Sequence, residues 1–203
     1  MKTIYFFLLI VFSTAFFVFS QSSEKKNKNQ KLGSSPFINS VLEEINADSI
    51  KKNVETLENF GTRFMLASNR KQVAEWIRSQ FVSYGYTNAV LDSFFVTINF
   101  SGTEYQTWQY NVIAELEGAH SSGISFVLGA HYDSYNQSGN LFSSAPGADD
   151  NASGTAAALE IARVMKKKNY QPASSIKFIA FAAEELMLHT PFSNGSFDYA
   201  HKA

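Results

Sequence analysis

The sequence predicts an α/β fold, a three-layer sandwich in which a mixed, mostly parallel sheet is flanked by helices. Two apolar runs, Ile124 to Ala130 and Ser175 to Ala183, read as strands, the first of them buried. Ser153 to Lys168, lying between them, reads as a helix, so helix and hydrophobic strand alternate on both sides of a long loop. Acidic residues and a histidine gather where the two strands end, the edge at which open α/β sheets place their sites.

The other elements follow in order. Met1 to Ser20 carries one charge, Lys2, and is apolar from Ile4 to Phe19 except at Ser13 and Thr14. It reads as a signal peptide cut after Ser20, because the apolar run is short for a span of ~20 residues. The chain is therefore expected to be secreted or periplasmic. Residues 21–36 are polar and read as a disordered spacer before a domain over 37–203. Ile38, Val41, Leu42 and Ile45 recur at helical spacing, and Asp48 is placed to cap a second helix through Ile50, Val54 and Leu57. Gly61-Thr62-Arg63-Phe64 reads as a turn. A third helix from Ser68 carries the stripe Val73, Trp76, Ile77, Phe81 and Tyr84 and stops at Gly85. Val90 to Phe100 and Thr107 to Leu116 read as strands around the turn Ser101-Gly102-Thr103.

Composition narrows the function. A hydrophobic fraction of 45% supports a packed core in a chain of 203 residues. A net charge of -1 gives no reason to expect nucleic acid or an anionic membrane as partner. With Cys 0, thiolate metal sites, disulfides and a cysteine nucleophile are excluded.

Three constellations carry the chemistry. His131 and Asp133 are two apart, so on a strand they point the same way, and a carboxylate there can hold the ring nitrogen that a metal leaves free. A structural histidine is the plainer alternative. Asp149 and Asp150 precede a helix start, where N–H groups and the dipole favour carboxylates. Capping by one Asp leaves the second unexplained, since adjacent like charges are costly without a cation or hydrogen bonds. Glu184 and Glu185 end an apolar strand. A bend there would let one bind a metal while the other faces water, and two solvated surface acids are the alternative. Together, imidazole and carboxylates suit zinc or a similar divalent ion, and such a site hydrolyses amides by polarising the carbonyl and acidifying water.

At these residues the sequence resembles the M28 family of co-catalytic zinc aminopeptidases. The matching pieces are Gly129-Ala130-His131-Tyr132-Asp133-Ser134, then Ala145 to Gly154 with Asp149-Asp150-Asn151, then Phe181-Ala182-Ala183-Glu184-Glu185-Leu186. Gly61-Thr62-Arg63 and Tyr110 to Ala114 add weaker support. The resemblance implies a phosphorylase/hydrolase-like fold, two Zn2+ ions, and peptide or protein N-termini as substrate. It implies metal ligation by His131, Asp150 and Glu185, with Asp150 bridging the ions. Glu184 is then the general base, Asp133 orients His131, Asp149 belongs to local structure, and a cis peptide follows Asp150.

The family completes its site with a further Asp and a further His. Asp198, His189 and His201 are the late candidates, and they match the pattern poorly. The chain therefore reads as the N-terminal part of a longer enzyme or a truncated product, with a sheet incomplete at its C-terminal side and no activity alone. An M20-type peptidase or a glutaminyl cyclase-like enzyme is the alternative chemistry, and a non-catalytic fragment the alternative to an enzyme.

Overall fold

The computed structural model describes residues 36–120 and 123–186, together with Tyr199 and Lys202. The leader over 1–20, the spacer up to residue 35, and His189, Asp198 and His201 lie outside the described residues. Among those described, no helix is long and apolar enough to cross a membrane.

Three helices come first: α1 (Pro36–Leu42), α2 (Ala47–Glu58) and α3 (Arg70–Ser83). Pro36 opens α1, a position where a missing N–H costs nothing. The apolar stripe expected there is not buried: Leu42 and Ile45 are exposed. Asn46, not Asp48, caps α2, its side chain accepting a bond from the Ser49 amide at 3.0 Å. Asp48 sits in the first turn instead, where its charge still suits the dipole. α3 starts two residues later than the periodicity predicts, and Val73, Ala74, Ile77 and Phe81 form its buried stripe. Gly85 ends it at φ +96.

Strands β1 (Val90–Phe100) and β2 (Thr103–Leu116) form a hairpin. Its two turn residues, Ser101 and Gly102, both have positive φ, the geometry that matches strand twist. This turn lets β2 begin at Thr103, four residues before its predicted start. β3 (Ser125–His131) leads through the long loop to α4 (Ser153–Lys167), and β4 (Ser175–Phe181) follows.

The sheet is mixed, as expected, in the order β1-β2-β4-β3. β3 and β4, joined through a helix, pair in parallel; β1–β2 and β2–β4 are antiparallel. Among the described strands the parallel share is thus one pairing, not a majority, because a two-residue turn fixes β1 and β2 antiparallel. The core lies between one sheet face and the helices, with Val112, Ala114 and Phe178 against Ile77, Phe81 and Leu159. The Tyr86 and Phe178 rings meet at 5.7 Å, edge to face.

β3 departs from the prediction. It was expected to be buried, yet among the described strands it is one of the two edge strands of the sheet, with Phe126 63% and Val127 50% exposed. Hydrophobicity reports what a strand can bury, not whether both its edges have neighbours.

Candidate metal centre

His131 closes β3, and the Thr155 hydroxyl of α4 donates to its carbonyl at 3.0 Å. The chain then runs out to residue 147 and returns to the same strand end. Gly147 has φ +47, and a Cβ there would meet Asp150 O and the Ser134 side chain, both at 2.6 Å. Only glycine fits that turn. Residues Ala148–Ala152 form one wide helical turn, broken at Asp150 (φ -114, ψ 100), and the Asp150–Asn151 peptide is cis. This turn brings the Asp150 carboxylate to His131: Nε2 and Oδ1 are 2.9 Å apart. Asp149 is exposed, and its backbone carbonyl accepts from the Ser153 hydroxyl at 2.7 Å.

The Glu pair arrives from the other side. β4 ends at Phe181, and Ala183 at φ +59 supplies the anticipated bend. The buried Asn111 of β2 accepts from the Ala182 amide at 3.0 Å, steadying that exit. Glu184 Oε2 lies 3.8 Å from His131 Nε2. His131, Asp150 and Glu185 each offer a ligand atom, and these three lie within 4.8 Å of one another. An imidazole nitrogen and two carboxylate oxygens, converging within reach of one small divalent ion, fit zinc.

Asp133 acts differently from the simple expectation. Its Oδ1 is 3.4 Å from His131 Nδ1, near enough for attraction but without hydrogen-bond geometry, and the buried Nδ1 has no other partner among the described residues. The carboxylate's hydrogen bonds come instead from the amides of Glu184 and Glu185, each at 3.1 Å. So Asp133 ties the Glu turn to the strand exit that bears His131.

The charges shift accordingly. Burial disfavours charged His131, but Asp133, Glu184 and Asp150 outweigh it and lift the imidazole from 6.5 to about 9. Burial, then the charges of Asp133 and Asp150, lift Glu185 from 4.5 to about 7. Both shifts favour holding protons in a place crowded with carboxylates, which a metal cation would displace.

Residues 111–203 match the model of peptidase family M28. The chain is 31% identical to leucine aminopeptidase 1 of Emericella nidulans over 163 residues, covering 78% of this chain and 40% of that protein. It is 32% identical to a probable zinc metalloprotease of Pyrenophora teres f. teres, covering 75% of this chain and 33% of that one. The chain belongs to peptidase family M28. Among solved structures this M28 chain is similar to LapB of Legionella pneumophila, with TM-score 0.56 and 27% identity, covering 75% of this chain and 39% of that one. It is likewise similar to a Zn-dependent exopeptidase of Parabacteroides distasonis, with TM-score 0.54 and 25% identity, covering 75% of this chain and 53% of that one. It spans less than half the length of the two curated relatives.

Sequence reasoning brought His131, Asp133, Asp150, Glu184 and Glu185 to one place, and there the structure puts them. It gives Arg63 only as part of a turn and of a weaker match to the family, with no role, although that side chain is 1% exposed and donates to the Tyr132 carbonyl, one residue after His131. Asn111 could have been noticed as an amide inside an apolar strand, where a polar group needs a partner.

Proposed function

We propose that this M28 chain carries part of the active site of a zinc aminopeptidase, which removes residues from the N-termini of peptides. The observation that carries the reading is the convergence of His131, Asp150 and Glu185, with Glu184 beside them. His131 would bind through Nε2, leaving Nδ1 toward Asp133. Asp150 would serve both ions of a two-zinc centre. Zinc held there would polarise the scissile carbonyl and acidify a nearby water. The Glu184 carboxylate, 42% exposed, is free to take a proton from the attacking water and pass it to the leaving amine. Asp133 holds both Glu amides, so the base and the ligand keep a fixed spacing from His131.

The test is metal content and hydrolysis by the full-length protein. Aminoacyl-nitroanilides are expected to be cleaved, their N-acetylated counterparts not, and a chelator to abolish turnover. No bound zinc and no cleavage would sink the reading. The apolar leader over 1–20 supports export, and N-terminal sequencing of the mature protein should begin at Gln21.

A further inference from the structure

We propose that Arg63 is a positioning residue for the metal centre: its guanidinium locks the loop bearing Asp150 onto the strand bearing His131. The inference rests on the zinc reading of those donors, and it concerns a side chain that touches none of them.

Arg63 is 1% exposed, and its hydrogen bonds go to backbone carbonyls of three separate segments. Nε donates to Tyr132 O at 2.7 Å, one residue after His131. Nη1 donates to Leu57 O at 3.0 Å, at the end of α2, and to Pro146 O at 2.6 Å. Nη2 donates to Gly147 O at 2.7 Å. That last carbonyl also accepts from the Ala152 amide at 3.1 Å, which closes the turn holding Asp150. The backbone around Arg63 repeats the connection. Its amide donates to Ser134 Oγ at 3.1 Å, and that hydroxyl donates to Ala145 O at 2.5 Å. Thr62 bridges to Ala145.

A buried cation is expensive, and burial lowers Arg63 to about 10 although Asp133 opposes this. A helix end and a loop need no charge to meet. A planar fork with five donors can, however, fix several carbonyls at set angles, which a lysine cannot. The bonds to Tyr132 and Gly147 join the two backbones whose side chains meet as His131 Nε2 and Asp150 Oδ1. Asp133 does the same for the Glu turn, so the strand exit at 131–133 is the frame for both other donors.

The test is Arg63→Lys in the full-length protein, with folding checked by circular dichroism. Cobalt affinity is expected to fall roughly tenfold to a hundredfold, the cost typical of losing an outer support. In the metal-free protein, hydrogen exchange over 145–152 should quicken severalfold while 176–180 keeps its protection. Unchanged affinity with unchanged exchange overturns the proposal, and so does an equal loss of protection in both segments. If the lysine variant does not fold, the unmodified protein decides. The Ala145 and Ala152 amides, bonded across the clamp, should exchange as slowly as those of β2, and fast exchange at both overturns it. Failure of the unmodified protein to bind cobalt counts against the zinc reading, whereas the exchange result still judges the clamp.

Discussion

Glu184 and Glu185 are neighbours in sequence with different surroundings. Glu185 is drawn up by burial and by Asp133 and Asp150, and it shares a donor cluster with His131. Glu184 keeps its carboxylate 42% exposed, 3.8 Å from His131 Nε2. Glu185→Gln in the full-length protein should therefore weaken zinc binding. Glu184→Gln should keep the zinc and lower kcat by about 10² to 10⁴, the range for losing a general base. Zinc content and steady-state kinetics of the two variants decide this, and equal zinc loss in both would contradict the assignment. Asp133→Ala orphans the amides of both glutamates, so it should cost about 2 kcal/mol in denaturant unfolding. These residues were legible because acids and a histidine at the ends of apolar runs need a reason to be there. The contacts of Arg63 were not legible, since the carbonyls it binds leave no signature in the sequence.

The loop between β3 and α4 works as one element, and Gly147 is its hinge point. A side chain there would need the left-handed region and would press on Asp150 O, Ser134 and the Arg63 guanidinium. Gly147→Ala should destabilise by about 2 to 4 kcal/mol, combining backbone strain with overpacking. Chemical denaturation measures it, and a loss under about 0.5 kcal/mol, the range of a neutral surface change, would show that the turn relaxes freely. Hydrophobic period located α3, the hairpin strands and α4 to within a few residues, since each buries one stripe or face. It could not show which strand lies outermost. β3 leaves Phe126 and Val127 exposed beside an unpaired edge among the described strands, a template for unwanted pairing. Phe126→Lys should accordingly reduce self-association of the 203-residue chain in analytical ultracentrifugation without shifting its circular dichroism spectrum. Unchanged association would mean that this edge is not the sticky surface.

At the scale of the whole molecule, the donor cluster couples folding to pH. His131 holds its proton to about 9 in the folded chain against 6.5 ordinarily, and Glu185 to about 7 against 4.5. Both folded values are raised, so the folded state binds these protons more tightly than the unfolded one. Each contribution is complete below the ordinary value and is lost as pH rises through the folded value. Without metal, stability should therefore fall between about pH 6.5 and 9, where His131 dominates. Other perturbed carboxylates stay silent in that window. Glu44 is lowered by its contact with Lys167, and Glu160 is lowered by Arg163 against the cost of its burial, so both titrate below 4.5. Zinc reverses the trend, because it needs the same groups without protons, and its affinity should rise with pH. Thermal melts in chelator at pH 6.5, 7.5 and 8.5 test the coupling. Tm should fall across the series in the unmodified protein and less in His131→Gln, while the Tm gain from added zinc should grow over the same range. Parallel Tm slopes for the two proteins would show that the proton held at His131 contributes nothing to folding.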